Sequence, residues 1–181
     1  MRTTASTHKD PAYRLGALAL LVAAAVILAA LAFEYIGGHA PCPLCLTERY
    51  AYYAAIPLLF LAMIAVASGH NELAALGFFI VALAFFANMI LGGYHTGAEW
   101  GFWPGPSTCS GALQPLGSPA DLLKGTQIPR VVRCDAASWW FLGLSFAGWN
   151  TVVSTVLWIT SLQAGRIALA AGSPPKTRFP I

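Results

Sequence analysis

The sequence predicts an all-α integral membrane protein, a four-helix transmembrane bundle that forms a single domain over residues 1–181. Of these residues, 57% are hydrophobic and only 9% are charged, whereas an ordinary soluble domain carries about 25% charged residues. The mean hydropathy is +0.66, and four apolar stretches are long enough to be read as membrane spans. The net charge of +3 is small and scattered along the chain, which argues against a nucleic-acid partner.

The first two predicted spans cover residues 15–36 and 50–67. The first carries no charged residue before Glu34 and is long enough to cross a hydrocarbon core about 30 Å thick. It is also longer than the apolar region of a cleaved signal peptide, about 7–15 residues, so we interpret it as a permanent anchor. The second span contains Pro57, which predicts a kink.

The last two predicted spans cover residues 73–91 and 149–164. A short polar turn precedes the third span, whose only strongly polar residue is Asn88. The fourth span is the most polar, because it contains several serine and threonine residues. Their hydroxyl groups can bond to the backbone of their own helix or to neighbouring helices, which makes a span compatible with this composition.

Two loops, residues 37–49 and 93–147, are predicted on one side of the membrane, because four spans place both termini on the other side. The tails carry six Lys and Arg residues and the two loops carry four. The positive-inside rule therefore predicts cytoplasmic termini and periplasmic loops. Within the long loop, residues 118–125 carry capping signals typical of one short surface helix. Five tryptophans near the ends of spans three and four are interpreted as an interfacial belt: Trp100, Trp103, Trp139, Trp140 and Trp149.

All four cysteines fall in the predicted periplasmic loops, Cys42 and Cys45 in the first and Cys109 and Cys134 in the second. Thiols on an exported face are expected to form disulfides. For Cys109 and Cys134 alone, a structural disulfide is the simpler interpretation. A C-x-x-C bridge closes a very small loop and gains little chain entropy, so its usual role is redox chemistry. No metal site is predicted, because a zinc site of this kind needs a second close cysteine pair.

The residues around the C-x-x-C pair favour a reactive thiolate. Cys45 is expected to precede the second helix directly, and a helix N-terminus stabilises a thiolate. Arg49 follows one helical turn later and can reach the same face, although it can equally be an anchor at the membrane interface. His95 lies at the outer end of the third span. Its imidazole can donate a hydrogen bond to a carbonyl-bearing ligand, or it can be a solvated loop residue.

The segment Pro41-Cys42-Pro43-Leu44-Cys45-Leu46-Thr47-Glu48-Arg49 resembles the hallmark of the bacterial DsbB family of disulfide-bond formation proteins. Three further segments are similar to that family: residues 94–99, 103–106 and 141–145. The resemblance implies a quinone-dependent protein-disulfide oxidoreductase of the bacterial inner membrane. Such an enzyme reoxidises a periplasmic DsbA-like thiol oxidase and passes two electrons to a membrane quinone, ubiquinone or menaquinone. The resemblance also implies that Arg49 and His95 contact the quinone.

The same resemblance implies an order of thiol exchange. Cys109 would be attacked by the reactive thiolate of the partner oxidase, forming a mixed disulfide. Cys134 would then exchange with Cys42, which links the two loops and frees Cys45 as a thiolate facing the quinone. Each of these steps needs only a thiolate and a sulfur atom within reach.

Two other functions compete with this interpretation. One is a quinone-linked relay of the vitamin-K-epoxide-reductase type, in which the C-x-x-C pair lies late in the chain, whereas here it precedes the second span. The other is a four-helix membrane scaffold with two structural disulfides and no catalytic activity. The scaffold hypothesis predicts that Cys45 and Arg49 are dispensable.

Overall fold

A computed structural model describes residues 10–106 and 133–172, and within these ranges the chain forms four long helices. They are α1 (Pro11–Tyr35), α2 (Pro43–Ala67), α3 (Asn71–Glu99) and α4 (Phe146–Gly172). Each is long and apolar enough to cross a membrane. The predicted all-α membrane bundle is therefore confirmed. The predicted surface helix at residues 118–125 and Cys109 lie outside the described residues.

A short hairpin precedes α4. Its strands β1 (Trp140–Phe141) and β2 (Leu144–Ser145) pair antiparallel. Leu142 and Gly143 form the turn with positive φ angles of 51° and 80°, a conformation that glycine adopts freely and leucine rarely does. The hairpin leads directly into the first turn of α4 and so fixes where residues 133–141 lie against the bundle.

The helices extend beyond the predicted spans, mostly into polar sequence. Helix α2 begins at Pro43, inside the predicted first loop, because Cys42 caps it and proline is well suited to a first helical turn. The helix continues without a break through Pro57. Helix α3 continues to Glu99 and so includes His95. The polar residues next to the cysteines therefore lie on helices, which hold them more rigidly than loops would.

Small residues allow the helices to approach one another closely, as is common in membrane bundles. A Cβ atom added at Gly92 of α3 would come within 2.7 Å of the Thr151 Oγ1 atom of α4. One added at Gly16 of α1 would come within 2.9 Å of the Phe78 ring of α3. Large apolar side chains instead cover the outside of the bundle, among them Leu18, Leu21, Leu28, Phe60, Leu61 and Leu83. An apolar exterior of this extent fits a lipid environment.

Neutral polar side chains join α2, α3 and α4 inside the bundle. This amide cluster consists of Tyr52, Asn88, Asn150 and Ser154. The Asn88 amide donates to the Asn150 side-chain oxygen (3.2 Å) and to the Ser154 hydroxyl (3.0 Å), and the Tyr52 hydroxyl donates to Asn150 (2.7 Å).

The hydroxyl groups of α4 behave as the sequence predicts. Thr151, Thr155 and Thr160 each donate to the backbone carbonyl four residues earlier, at 2.7–3.0 Å. These bonds satisfy the hydroxyls without a partner helix, so the most polar of the four spans is still compatible with a membrane.

Candidate functional site

The C-x-x-C pair lies at one end of the bundle, where α1 ends, α2 begins, α3 ends and α4 begins; we call this the cysteine end. Cys42 is the N-cap of α2, and its Sγ atom accepts a hydrogen bond from the Cys45 backbone N–H at 3.2 Å. Both cysteines are free thiols, and their Sγ atoms are 2.8 Å apart. Disulfide-bonded sulfurs are about 2.05 Å apart. Less than about 1 Å of movement would therefore close or open the bond.

In this dithiol state Cys42 is the cysteine whose thiol has a lowered pKa. A hydrogen bond from the Cys45 thiol lowers the pKa of the Cys42 thiol below its ordinary value, and backbone N–H groups at Cys45 and Leu44 add to the effect. These bonds outweigh burial, which favours the neutral thiol. The sequence predicts the thiolate at Cys45. The two assignments belong to different redox states, because Cys45 is the free sulfur once Cys42 has exchanged with another cysteine.

His95 of α3 contacts the cysteine pair from the side. Its Nε2 atom is 3.5 Å from the Cys42 Sγ atom, and its Nδ1 atom is 2.8 Å from a Glu48 carboxylate oxygen. A Glu99 oxygen lies 4.0 Å from Nε2. Only 1% of His95 is exposed, so the interpretation of His95 as a solvated loop residue is wrong. We call Cys42, Glu48, His95 and Glu99 the ionisable cluster.

Arg49 has an acidic partner that the sequence did not predict. Its guanidinium forms an ion pair with the Glu34 carboxylate near the end of α1, and both side chains are partly buried. Arg49 also lines the cavity described below. The arrangement supplies a positive group at the cavity wall, held in place by a neighbouring helix.

A cavity of about 360 Å³ opens beside the cysteine pair. Its apolar wall comes from α1, between Val26 and Phe33, and from an aromatic group that precedes and begins α4. Trp139 stacks on Phe146 with ring centroids 4.7 Å apart. The polar lining of the cavity contains Cys42, Cys45, Glu48, Arg49, His95 and Glu99. Two tryptophans of the predicted interfacial belt, Trp139 and Trp149, therefore contribute to this wall.

Cys134 lies next to the pair although it is far away in sequence. It is 1% exposed and packs with Cys42 in a small buried cluster, against which Leu44 and Cys45 also pack. Cys134 is disulfide-bonded. The structure thus brings three of the four cysteines together, and the fourth, Cys109, is not among the described residues.

Three acidic residues at this end were not among the predicted site residues. The sequence places Glu34 and Glu48 near the outer rim, where either can carry protons and Glu48 can also pair with a cation, and Glu99 falls within one of the family-like segments. Glu99 follows His95 by four positions, the spacing that places two side chains on one helical face. This spacing is visible in the sequence. It places His95 and Glu99 on one face only if the helix continues past residue 91, where the apolar stretch ends.

Comparisons with known proteins show what the chain is similar to. The family model for the disulfide bond formation protein DsbB matches residues 13–164. A protein of Methylococcus capsulatus named disulfide bond formation protein B is 32% identical over 142 residues, which cover 73% of this chain and 80% of that protein. An uncharacterised protein of Rickettsia prowazekii is 25% identical over 162 residues, covering 88% of this chain and 91% of its own. No solved structure matches the chain significantly.

Proposed function

Because the chain belongs to the DsbB family of disulfide bond formation proteins, we propose that it reoxidises a periplasmic DsbA-like thiol oxidase and passes the electrons to a membrane quinone. Membership of the family makes it a disulfide oxidoreductase, and its four apolar helices make it a multi-pass membrane protein. The observation that carries the finer proposal is the position of the C-x-x-C pair. The pair packs with Cys134 and also lines a largely apolar cavity.

The thiol steps follow from this contact. The partner's thiolate attacks Cys109 of the loop disulfide, and Cys134 leaves as a thiolate. Cys134 then attacks Cys42 of the oxidised C-x-x-C pair, and Cys45 leaves as a thiolate. Each step breaks one disulfide and forms another, so electrons move towards the cavity without any other reactant. The packing of Cys134 against Cys42 supports the second step.

The cavity suits a quinone ring. Apolar and aromatic walls would hold the ring, and Arg49 and the protonated form of His95 would hold its oxygens as hydrogen-bond donors. When bound, a quinone accepts two electrons and two protons and leaves as a quinol. Ubiquinone and menaquinone share the pair of carbonyl oxygens that these side chains would bind. Glu48 fixes the orientation of the His95 ring through Nδ1, and Cys45 lines the same cavity.

The proposed orientation places the protein in the bacterial inner membrane with both termini in the cytoplasm and the cysteine end at the periplasmic face. The bias of six to four Lys and Arg residues supports it. The fold agrees, because both pieces of chain that carry cysteines meet at the same end of the bundle. The competing scaffold with two structural disulfides is disfavoured, because Cys42 and Cys45 are free thiols beside a cavity.

The direct test is electron transfer by the purified protein. We expect quinone reduction when a reduced DsbA-like oxidase is the electron donor, and none when the donor is omitted or already oxidised. Absence of donor-dependent quinone reduction in the folded protein would refute the proposal.

The order of exchange is tested separately by trapping on non-reducing gels. Cys42→Ser should still capture the partner in a mixed disulfide, because the Cys109–Cys134 disulfide remains open to attack while Cys134 has lost the cysteine with which it would exchange next. Cys109→Ser should capture none. Equal capture by both variants would show that the order is wrong.

A further inference from the structure

We propose that the reduced Cys42 and Cys45 thiols and His95 form a binding site for a thiophilic divalent cation such as zinc or cadmium. Their ligand atoms lie within 4.8 Å of one another. The sequence predicts no metal site, because it contains no second close cysteine pair. The fold supplies the third ligand instead from a residue 53 positions after Cys42. This proposal does not rest on the electron relay and can be tested without quinone or partner.

One of the three distances between ligand atoms already matches a tetrahedral site. With zinc–sulfur and zinc–nitrogen bonds of about 2.3 and about 2.0 Å, neighbouring sulfur and nitrogen ligands lie about 3.5 Å apart and two sulfurs about 3.8 Å apart. The Cys42 Sγ and His95 Nε2 atoms are already 3.5 Å apart. The two Sγ atoms, at 2.8 Å, must separate by about 1 Å, a movement that side-chain rotation of Cys45 can supply.

The surroundings of His95 also match a metal ligand. Histidines that bind metals usually donate their other ring N–H to a carboxylate or a carbonyl, which fixes the tautomer and raises the basicity of the ligating nitrogen. Glu48 accepts from Nδ1 at 2.8 Å. This leaves the Nε2 lone pair directed at Cys42. A Glu99 oxygen 4.0 Å from Nε2 is a candidate fourth ligand, and water entering through the cavity is the alternative.

Charge balance favours a dication at this place. The ligand atoms are largely buried, and Cys42 and His95 are only 3% and 1% exposed. Two thiolates neutralise a divalent cation, and a neutral site avoids most of the cost of burying charge. The C-x-x-C spacing at a helix N-terminus also places both sulfurs on one side of the backbone, as in structural zinc sites.

Metal binding of this kind would compete with the redox chemistry. The cation displaces two protons from the two thiols, forms two metal–sulfur bonds and transfers no electrons. Only the reduced pair can bind, because sulfur atoms joined in a disulfide offer no thiolate. While the metal is bound, neither sulfur can attack or be attacked. The proposal therefore predicts that the reduced form is the metal-sensitive form.

The test uses full-length protein without a histidine tag, reduced under nitrogen and freed of reductant, and titrated with Co²⁺. We expect one Co²⁺ per chain, a thiolate-to-cobalt charge-transfer band, the visible bands of tetrahedral cobalt, and displacement by Zn²⁺. The oxidised protein should give none of these. Double replacement of Cys109 and Cys134 by serine should leave the spectrum unchanged, because neither residue is a proposed ligand.

Three variants and two matched controls test the site. Cys42→Ser should abolish the charge-transfer band of the site, and His95→Ala should weaken binding and alter the visible bands. Glu48→Gln, which removes no ligand, should weaken binding by about 10-fold to 100-fold. The matched controls His70→Ala and Glu72→Gln, at the opposite end of the bundle, should bind like the wild type. The absence of a charge-transfer band in the reduced protein would overturn the proposal. So would affinity and spectra in the His95 and Glu48 variants that are identical to those of the wild type.

Discussion

The bundle buries two groups of polar side chains, and they differ in one respect that separates structure from chemistry. The amide cluster is neutral, and its hydrogen bonds join three helices to one another. The ionisable cluster contains two carboxyl groups, an imidazole and a thiol, and it lines the cavity, to which Tyr52 and Asn150 of the amide cluster also contribute. Neutral hydrogen-bonded groups can be buried at little cost, whereas ionisable groups are costly to bury unless they are paired. We infer that the amide cluster positions the helices and that the ionisable cluster serves the reaction.

The largest expected effect is a loss of quinone reduction in Cys45→Ser without a loss of the fold. Cys45→Ser keeps the shape of the side chain but replaces the thiol with a hydroxyl that does not ionise at neutral pH, so quinone reduction should fall to the background rate. The fold should be unaffected, because Cys45 takes part in none of the hydrogen bonds that join the amide cluster. Donor-dependent quinone reduction and circular dichroism of the same sample measure the two properties. Substantial activity in Cys45→Ser would remove this cysteine from the relay.

The second prediction concerns the positive group at the cavity wall. If Arg49 binds a quinone oxygen, Arg49→Met should raise the apparent KM for quinone by about tenfold to a hundredfold. A hydrogen bond to a charged group is worth about 1.5–3 kcal/mol, and each 1.4 kcal/mol is about tenfold in affinity. Steady-state rates across a range of quinone concentrations measure the change.

Two further variants distinguish binding from anchoring by Arg49. Arg49→Lys keeps the charge but loses the planar pair of donors, so its KM should lie between those of the wild type and Arg49→Met. Glu34→Gln keeps the guanidinium and removes only the charge of its partner, so it should change KM less than Arg49→Met. Equal KM values in all four proteins would leave Arg49 as an interface anchor.

The sequence predicted the bundle well because apolar length is a local property. Each span is visible as a run of residues, although α2 begins at Pro43, before the predicted second span. The cysteines were likewise recognisable from their spacing. By contrast, the end of α3 was placed too early, since its last two turns are polar and no longer carry the hydrophobic signal.

The contacts within the candidate site were not predictable in the same way. His95 meets Cys42 and Glu48 only through the rotation and register of α3 against α2, which no spacing along the chain encodes. The pairing of Arg49 with Glu34 requires the same information for α1 and α2. A one-residue change in helix register rotates a side chain by about 100°, so knowledge of both helices still leaves their contacts undetermined.

The third prediction tests the amide cluster. Asn88→Leu removes two hydrogen bonds while nearly conserving volume, and interhelical hydrogen bonds in membranes average about 0.6 kcal/mol each. We therefore expect a loss of about 1 kcal/mol in the free energy of unfolding, measured in mixed detergent micelles. Quinone KM should be unchanged under conditions in which the variant is folded. A large change in KM without loss of stability would show that this cluster also serves the reaction.

The smallest expected effect is a shift in the ionisation of Cys42. The pKa of its thiol is lowered chiefly by the hydrogen bond from the Cys45 thiol, and backbone N–H groups contribute less. In the reduced protein, alkylation of Cys42 by iodoacetamide should therefore persist below the pH range of an ordinary cysteine, whose pKa is about 8.5. Cys45→Ala removes the main donor and should move the alkylation profile of Cys42 to higher pH. Cys45→Ser, which keeps a hydroxyl donor at that position, should move it less. The profile is obtained by mass spectrometry of the peptide that contains residue 42, after timed alkylation at a series of pH values. If the three profiles coincide, the Cys45 side chain does not control the ionisation of Cys42. The helix N-terminus alone would then account for its reactivity.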